Sequence, residues 1–433
     1  MDEQTNLVPE WMEGKKINES LFCREYLQEH PMIAISGTFF TVDGRVTDEA
    51  KLMRNILEKI EPYVTNCLSR KVQNLLEALR LMCYSEPLPV ETDRIHVANG
   101  TLFLDGTFRE EKVFCMNRLP VAYNPAAPVP EKWFAFLQEL LYPEDISTLQ
   151  EYMGYCLIPS NKGQTMLFLI GNGGEGKSRI GLVMRALLGA NMSTGSIAKV
   201  ETSPFARADL EHRLVMVDDD MKLEALPQTN HLKTIVTAEM EMDLEKKGEQ
   251  SYQGMLYARL MAFGNGALRA LYDHSDGFYR RQLILSAKPK DKSRWDDPFI
   301  AEKLCSEAEG IFLWALEGLK RLIQNGYHFT KSERTQANIE ASMREGNNIL
   351  DFMDSEGYFL FKADDWITSK DFYEVYVMWC DDNAEKPLVR KTFINYLRSK
   401  EQKYNLEYNN YGHNREGRRV WGFLGIRSLL KIY

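Results

Sequence analysis

One stretch of the chain has a composition that a single chemical task explains. Gly171-Asn172-Gly173-Gly174-Glu175-Gly176-Lys177-Ser178 fits the pattern G-x-x-x-x-G-K-S/T without a mismatch. Glycines in such a loop let backbone N–H groups wrap a β-phosphate, and the helix that follows adds the positive end of its dipole. Lys177 can neutralise β- and γ-oxygens, and Ser178 can offer its hydroxyl to Mg²⁺. The context is the required one, with the apolar run Met166–Ile170 before the loop and the helical pattern Arg179–Leu188 after it. These residues predict a nucleoside triphosphate site, with ATP and Mg²⁺ as its ligands.

A triphosphate site needs carboxylates beside the loop, and Leu214–Asp220 (LVMVDDD) supplies three of them. The first would hold Mg²⁺ through Ser178 or water, and the next would orient the attacking water. That assigns Asp218 to the metal and Asp219 to the base, with Asp220 close behind. Side chains on a regular strand alternate, so only some of the three can face one metal. A two-metal polymerase triad is the chemical rival, but such triads draw their acids from separate strands. Further on, Tyr257–Phe263 (YARLMAF) ends in Gly264-Asn265-Gly266. The Asn265 amide at that strand tip is suited to sense a γ-phosphate. Asp273–Arg281 (DHSDGFYRR) closes on Arg280 and Arg281, which cannot both point into their own core. One of them reaching a neighbouring subunit's γ-phosphate is a physically sensible finger. Between the acids and Asn265, Met240–Leu256 reads as a hairpin with Lys246-Lys247-Gly248 at its turn, placed to grip nucleic-acid phosphates.

These groups need a scaffold that gathers strand ends. Gln164–Leu285 alternates short apolar strands with helical patterns, which means a parallel sheet with covered faces. The 433 residues leave room for further domains. The first 90 or so read as mainly helical, clearest over Lys51–Cys83, with one hairpin at Ile33–Val46. Glu86–Glu91 and Tyr123–Pro130 are proline-punctuated joints. Residues 300–325 form an amphipathic helix, and 326–350 are polar and helical or linker-like. The domains expected are 1–92, 93–150, 151–325, a linker at 326–366, and 367–433.

Hydrophobic residues make up 44% and charged residues 27%, which excludes a disordered or fibrous chain. Seven scattered cysteines without a C-x-x-C pair exclude a disulfide scaffold or zinc ribbon. No apolar run approaches the ~18 residues that cross a bilayer, and no leader pattern opens the chain. The expectation is a cytoplasmic protein that makes no membrane contact. The net charge of −9 is unevenly spread, with +8 on residues 386–433 and −17 on residues 1–385. A basic end on an acidic body points to a polyanion partner held there. Lys370–Asp382 and Leu388–Lys400 read as helices, the second bearing Arg390, Lys391 and Arg398. Tyr404–Tyr408 and Arg419–Phe423 read as strands flanking a basic loop with Arg415, Arg418 and Arg419. A helix for the major groove and a wing for the backbone is a known docking geometry for duplex DNA.

The series of phosphate loop, acidic strand, lysine-tipped hairpin, Asn strand and Gly-Phe-Tyr-Arg-Arg resembles superfamily 3 helicases. It is most similar to the phage and plasmid primase/helicase group found in replication proteins of mobile genetic elements. The resemblance extends upstream through Val97–Leu102, Leu119–Ala126 and Tyr152–Pro159, and downstream through Phe372–Cys380, Phe393–Leu397 and Arg418–Phe423. It covers roughly residues 90–433. Three Asp stand where that family often has a Glu in its acidic strand, and Asn265-Gly266 replaces an Asn-Pro pair. The resemblance implies an α/β AAA+ core, a C-terminal winged helix, and a homo-hexameric ring with ATP at subunit interfaces. It further implies single- and double-stranded DNA as ligands, and a separate primase or host replication proteins as partners. The function expected is an ATP-dependent DNA helicase that initiates replication of a mobile element. Its rivals are an origin-binding ATPase or helicase loader that uses ATP as an assembly switch, and a packaging or partition ATPase.

Overall fold

Five parallel strands carry the phosphate loop and the acids. They are β1 (Met166–Ile170), β2 (Met192–Thr194), β3 (Val215–Met221), β4 (Arg259–Gly264) and β5 (Gln282–Ser286), in spatial order β5–β1–β4–β3–β2. Because both faces are covered, the inner strands are apolar runs rather than alternating ones, and all of Arg259–Gly264 is buried. All five run the same way, so the loops after β1, β3 and β4 open at one edge of the sheet.

The computed structural model describes residues 8–222, 226, 228–268, 276–291, 297–413 and 416–431. They divide into two units: Met1–Lys222, Asn230–Gly266 and Arg281–Thr335 in the first, and Leu223–Thr229, Ala267–Arg280 and Gln336–Tyr433 in the second.

In the first unit the sheet is flanked by α1 (Glu131–Leu140), α2 (Pro143–Tyr155), α3 (Ser178–Leu188) and α4 (Ala308–Gln324). α2 and α4 pack with their backbones almost touching, through a reciprocal pair of glycines. A Cβ on Gly154 would lie 2.2 Å from the Ala315 carbonyl oxygen, and one on Gly318 would lie 2.4 Å from that of Gln150.

The N-terminal region has helices at Glu19–Glu29, Glu49–Ile60 and Leu68–Met82 around a core that includes Trp11, Phe22, Phe39 and Leu79. The expected hairpin is a three-stranded meander, Met32–Ile35, Thr38–Thr41 and Gly44–Arg45.

The boundary expected at residue 150 is absent. Ile95, Val97, Leu102, Leu119 and Val121 belong to the same hydrophobic core as the sheet. A buried polar chain reinforces this: Tyr257 donates to Asn117 Oδ1 (2.9 Å), Asn117 to Asn191 Oδ1 (3.0 Å), and Asn191 to the Arg118 carbonyl (2.7 Å). The proline-rich joint is itself packed, since a Cβ on Gly310 of α4 would meet the Pro128 carbonyl at 2.4 Å.

The second unit contains β6 (Phe359–Thr368), α5 (Ser369–Asp382), α6 (Arg390–Ser399), β7 (Glu407–Asn409) and β8 (Gly422–Ser428). Its strands form an antiparallel sheet in the order β6–β8–β7. Phe352, Phe372, Tyr376, Phe393 and Phe423 fill the core with interlocked rings. Residues 326–366, read as a linker, are therefore folded: Glu333–Gly346 and Ile349–Met353 are helical, and β6 is the longest strand of this sheet. The other two strands start later than expected, because Glu401–Tyr404 completes a helical turn and Arg419 makes only an isolated bridge with His413. Among the described residues no helix is long and apolar enough to cross a membrane.

Candidate nucleotide site

A cleft of about 990 Å³ opens at the edge of the sheet where β1, β3 and β4 end. Gly173, Gly174, Gly176, Lys177 and Ser178 form one wall, and Asp219, Asp220 and Asn265 another. α3 begins at Ser178 with no side chain capping it; its Arg179 and Ile180 amides donate to the Gly176 and Lys177 carbonyls at 3.0 Å, and the positive end of the helix dipole faces the loop. The Gly171 amide donates to the Gly264 carbonyl at 3.1 Å, tying the start of the loop to the end of β4 and so to Asn265.

Inside the loop the Glu175 carboxylate is turned inward and almost fully buried, at 2% exposure. One oxygen accepts the Asn172 N–H. The other accepts from Gly173 N–H at 3.0 Å and from the Lys177 ammonium at 2.7 Å. Burial opposes its ionisation, but Lys177 and the loop amides outweigh that and hold its pKa below the usual carboxylate value. Gly171 leaves room for this pair, since a Cβ there would lie 2.9 Å from Glu175 Oε1 and 3.0 Å from Lys177 Nζ.

The three acids are sorted by a bulge. Asp218 stands opposite Ala262 and Met221 opposite Gly264, so β3 uses three steps where β4 uses two. The extra residue breaks the alternation, and Asp219 and Asp220 are both exposed to the cleft. Asp218 stands apart from it. It is buried at 6% exposure, and its Oδ2 accepts the Ile197 N–H at 2.8 Å. Burial pushes its pKa up, against hydrogen bonds from the Ile197 and Asp220 amides. Of the expected pair, Asp219 therefore lines the cleft and Asp218 does not, while Asp220 stands in the cleft beside Asp219.

Arg281 immediately precedes β5, and its carbonyl accepts the Met166 N–H at 2.7 Å. Met166 starts β1, whereas the phosphate loop follows Ile170 at the other end, about 13 Å away by strand rise. Arg281 is thus at the wrong edge of the sheet to serve its own loop. Arg280 is exposed and belongs to the second unit.

The expected hairpin is present as Met242–Leu244 paired with Tyr252–Gly254. Lys247 at its turn is exposed, but Lys246 is held to Glu211 at 2.7 Å and lies over the Tyr252 ring. Both lysines line a second cleft, of about 1140 Å³, together with Phe205, Arg213 and Arg45 of the N-terminal meander. Burial and the nearby Arg45 and Arg185 push the Arg213 pKa down to about 10. In the second unit Arg390, Lys391 and Arg398 project from α6, Arg398 over the Tyr408 ring, and Arg418 and Arg419 are exposed. Arg415 lies outside the described residues.

The sequence reading placed Glu175 in the loop without foreseeing its pairing with Lys177, set Asp220 only close behind the other acids, and missed a remote wall of the cleft. That wall comprises Lys132, Ala135, Phe136 and Glu139 of α1, with Pro298 and Ile300. Glu175 was visible only as an unspecified position of the motif, and nothing local marks α1 as part of it.

Residues 169–281, which hold the candidate phosphate loop, acids, Asn265 and arginines, match a family of unknown function, DUF5906. No curated protein matches the chain. Solved structures of the NrS-1 C-terminal region in its apo form are similar to it. One has a TM-score of 0.55 and 12% identity over 95% of this chain and 100% of that one. Another, the A form, has a TM-score of 0.53 and 12% identity over 93% and 98%. At such identity the likeness is one of fold.

Proposed function

We propose that this chain is an ATP-driven DNA helicase of the superfamily 3 AAA+ type, working in replication of a mobile genetic element as a homo-hexameric ring on single-stranded DNA. The observation that carries the reading is the convergence of phosphate loop, bulged acids and Asn265 on one cleft at the edge of a β5–β1–β4–β3–β2 sheet. The apolar side of the cleft, Ala135, Phe136 and Ile300, suits the face of a purine.

Within that reading Lys177 and the loop amides hold the β- and γ-phosphates. The Ser178 hydroxyl and the paired acids line the same cleft, a donor set that fits Mg²⁺. Bound there, Mg²⁺ neutralises charge on the phosphate oxygens. Asp219 and Asp220 divide the tasks of holding the metal and accepting a proton from water, and Asn265 orients the γ-phosphate. Arg281, a strand's length from its own loop, serves a neighbouring copy. The exposed Lys247, with Arg45 and Arg213 in the second cleft, supports contacts to a phosphate backbone. α6 with the loop between β7 and β8 supports a winged helix on duplex DNA.

The test is release of a labelled strand from a forked duplex by the purified chain with ATP and Mg²⁺, with Lys177→Ala as control. ATP-dependent release that the control lacks is expected. DNA-stimulated hydrolysis without release on forks of either polarity would leave an origin-binding ATPase or loader. Absence of hydrolysis would overturn both.

A further inference from the structure

We propose that the Glu175 carboxylate is a built-in stand-in for phosphate, which an incoming polyphosphate must displace before Lys177 can serve it. The inference rests on reading the loop as a nucleotide site, and it names what sets that site's affinity.

Glu175 engages the Lys177 ammonium, the cation that a phosphate here would need, and two amides of the same loop. Its two oxygens satisfy the Asn172 and Gly173 amides and the Lys177 ammonium, while at 2% exposure the carboxylate has no room to share them with solvent. Lys177 lines the cleft but is only 8% exposed, with its ammonium committed to Glu175 at 2.7 Å, so a ligand must compete with that carboxylate for it. A phosphate entering beside the carboxylate would set two anions on the same donors in a poorly hydrated space, which is strongly unfavourable. The ligand-free loop is thus already satisfied, and binding is an exchange of anions. A nucleoside without phosphates offers nothing to exchange. A chain of two or three phosphates can replace both carboxylate oxygens and meet the positive end of the α3 dipole. Glu175 therefore sets the affinity of the site, weakening every polyphosphate alike and leaving a nucleoside without phosphates unaffected.

A merely structural brace predicts the opposite response to losing the charge. If Glu175 only kept the loop folded, Glu175→Gln would weaken binding. If it occupies the phosphate position, Glu175→Gln raises the fraction of open loop. One charge-assisted contact already shifts such an equilibrium by about tenfold or more.

The experiment is calorimetric titration of the full chain with ADP, inorganic tripolyphosphate and adenosine, for wild type, Glu175→Gln and Glu175→Asp. Glu175→Gln should bind ADP and tripolyphosphate about tenfold tighter or more, with adenosine unchanged. Glu175→Asp, which keeps the charge on a shorter stem, should fall between. Equal or weaker polyphosphate binding by folded Glu175→Gln overturns the proposal and leaves the nucleotide site intact. Failure of every variant, wild type included, to bind ADP overturns the site itself. Hydrogen exchange on ligand-free wild type adds a check that needs no substitution. The Asn172 and Gly173 amides should exchange far more slowly than that of Gly174, and equal rates would place the carboxylate elsewhere.

Discussion

Replacing the three acids one at a time gives the sharpest test of the bulge. Asp219→Asn and Asp220→Asn change exposed side chains, so each should alter stability by no more than about 0.5 kcal/mol. Each removes a carboxylate from the cleft, and turnover should fall by about 10²–10⁴-fold while ATP still binds. Asp218→Asn is different, because that carboxylate accepts two backbone N–H groups away from the cleft. An Asn carbonyl still accepts, though less strongly, a loss of about 1–2 kcal/mol. Burial raises the pKa of Asp218, so a neutral isostere also removes a desolvation cost of similar size. The two nearly cancel, and stability should move by no more than about 1 kcal/mol with turnover within about tenfold of wild type. The assays are phosphate release at saturating ATP and Mg²⁺, and denaturant melts of the same proteins. An inactive Asp218→Asn beside active Asp219→Asn and Asp220→Asn would refute the register described for β3.

Arg281→Ala should bind ATP but hydrolyse it about 10³-fold more slowly, and mixing it with Asp219→Asn protein should restore part of the activity; no recovery in intact assemblies argues for an intrasubunit role. Gly154→Ala should cost about 1–3 kcal/mol or more by forcing α2 from α4, read as a lower Tm. Arg390→Glu with Lys391→Glu should weaken duplex binding and lower the salt slope by about 1.8, measured by anisotropy, with hydrolysis unchanged. The lowered pKa of Glu175 gives stability that is present above the ordinary carboxylate value and lost as pH falls through the folded one. Glu175→Gln should therefore flatten the acid limb of the ligand-free stability curve.

The contiguous features were legible in the sequence, because their chemistry requires neighbours in the chain. The loop at 171–178 and the buried runs of β1, β3 and β4 fall where their composition puts them. The pairing-dependent features were not. Which acid faces the cleft depends on the β3–β4 register, and no residue near Asp218 records what β4 does. β6 was hidden because its middle, Lys362–Asp364, is exposed and mostly charged, so the strand shows neither alternation nor an apolar run. The joint at 123–130 looked like a boundary because prolines usually punctuate, yet here they pack against Gly310.

The β3 bulge also has a consequence for how this strand can change over generations. The residue that brings Asp219 and Asp220 to one side is the same residue that offsets Met221 onto Gly264. Exchanging either acid for another polar residue leaves the offset intact and costs chemistry alone. Losing one of the two codons would restore plain alternation and carry Met221, buried at 5% exposure, toward the other face. The identity of these positions is thus free to drift within the limits of catalysis, whereas their number is fixed by the core beneath them.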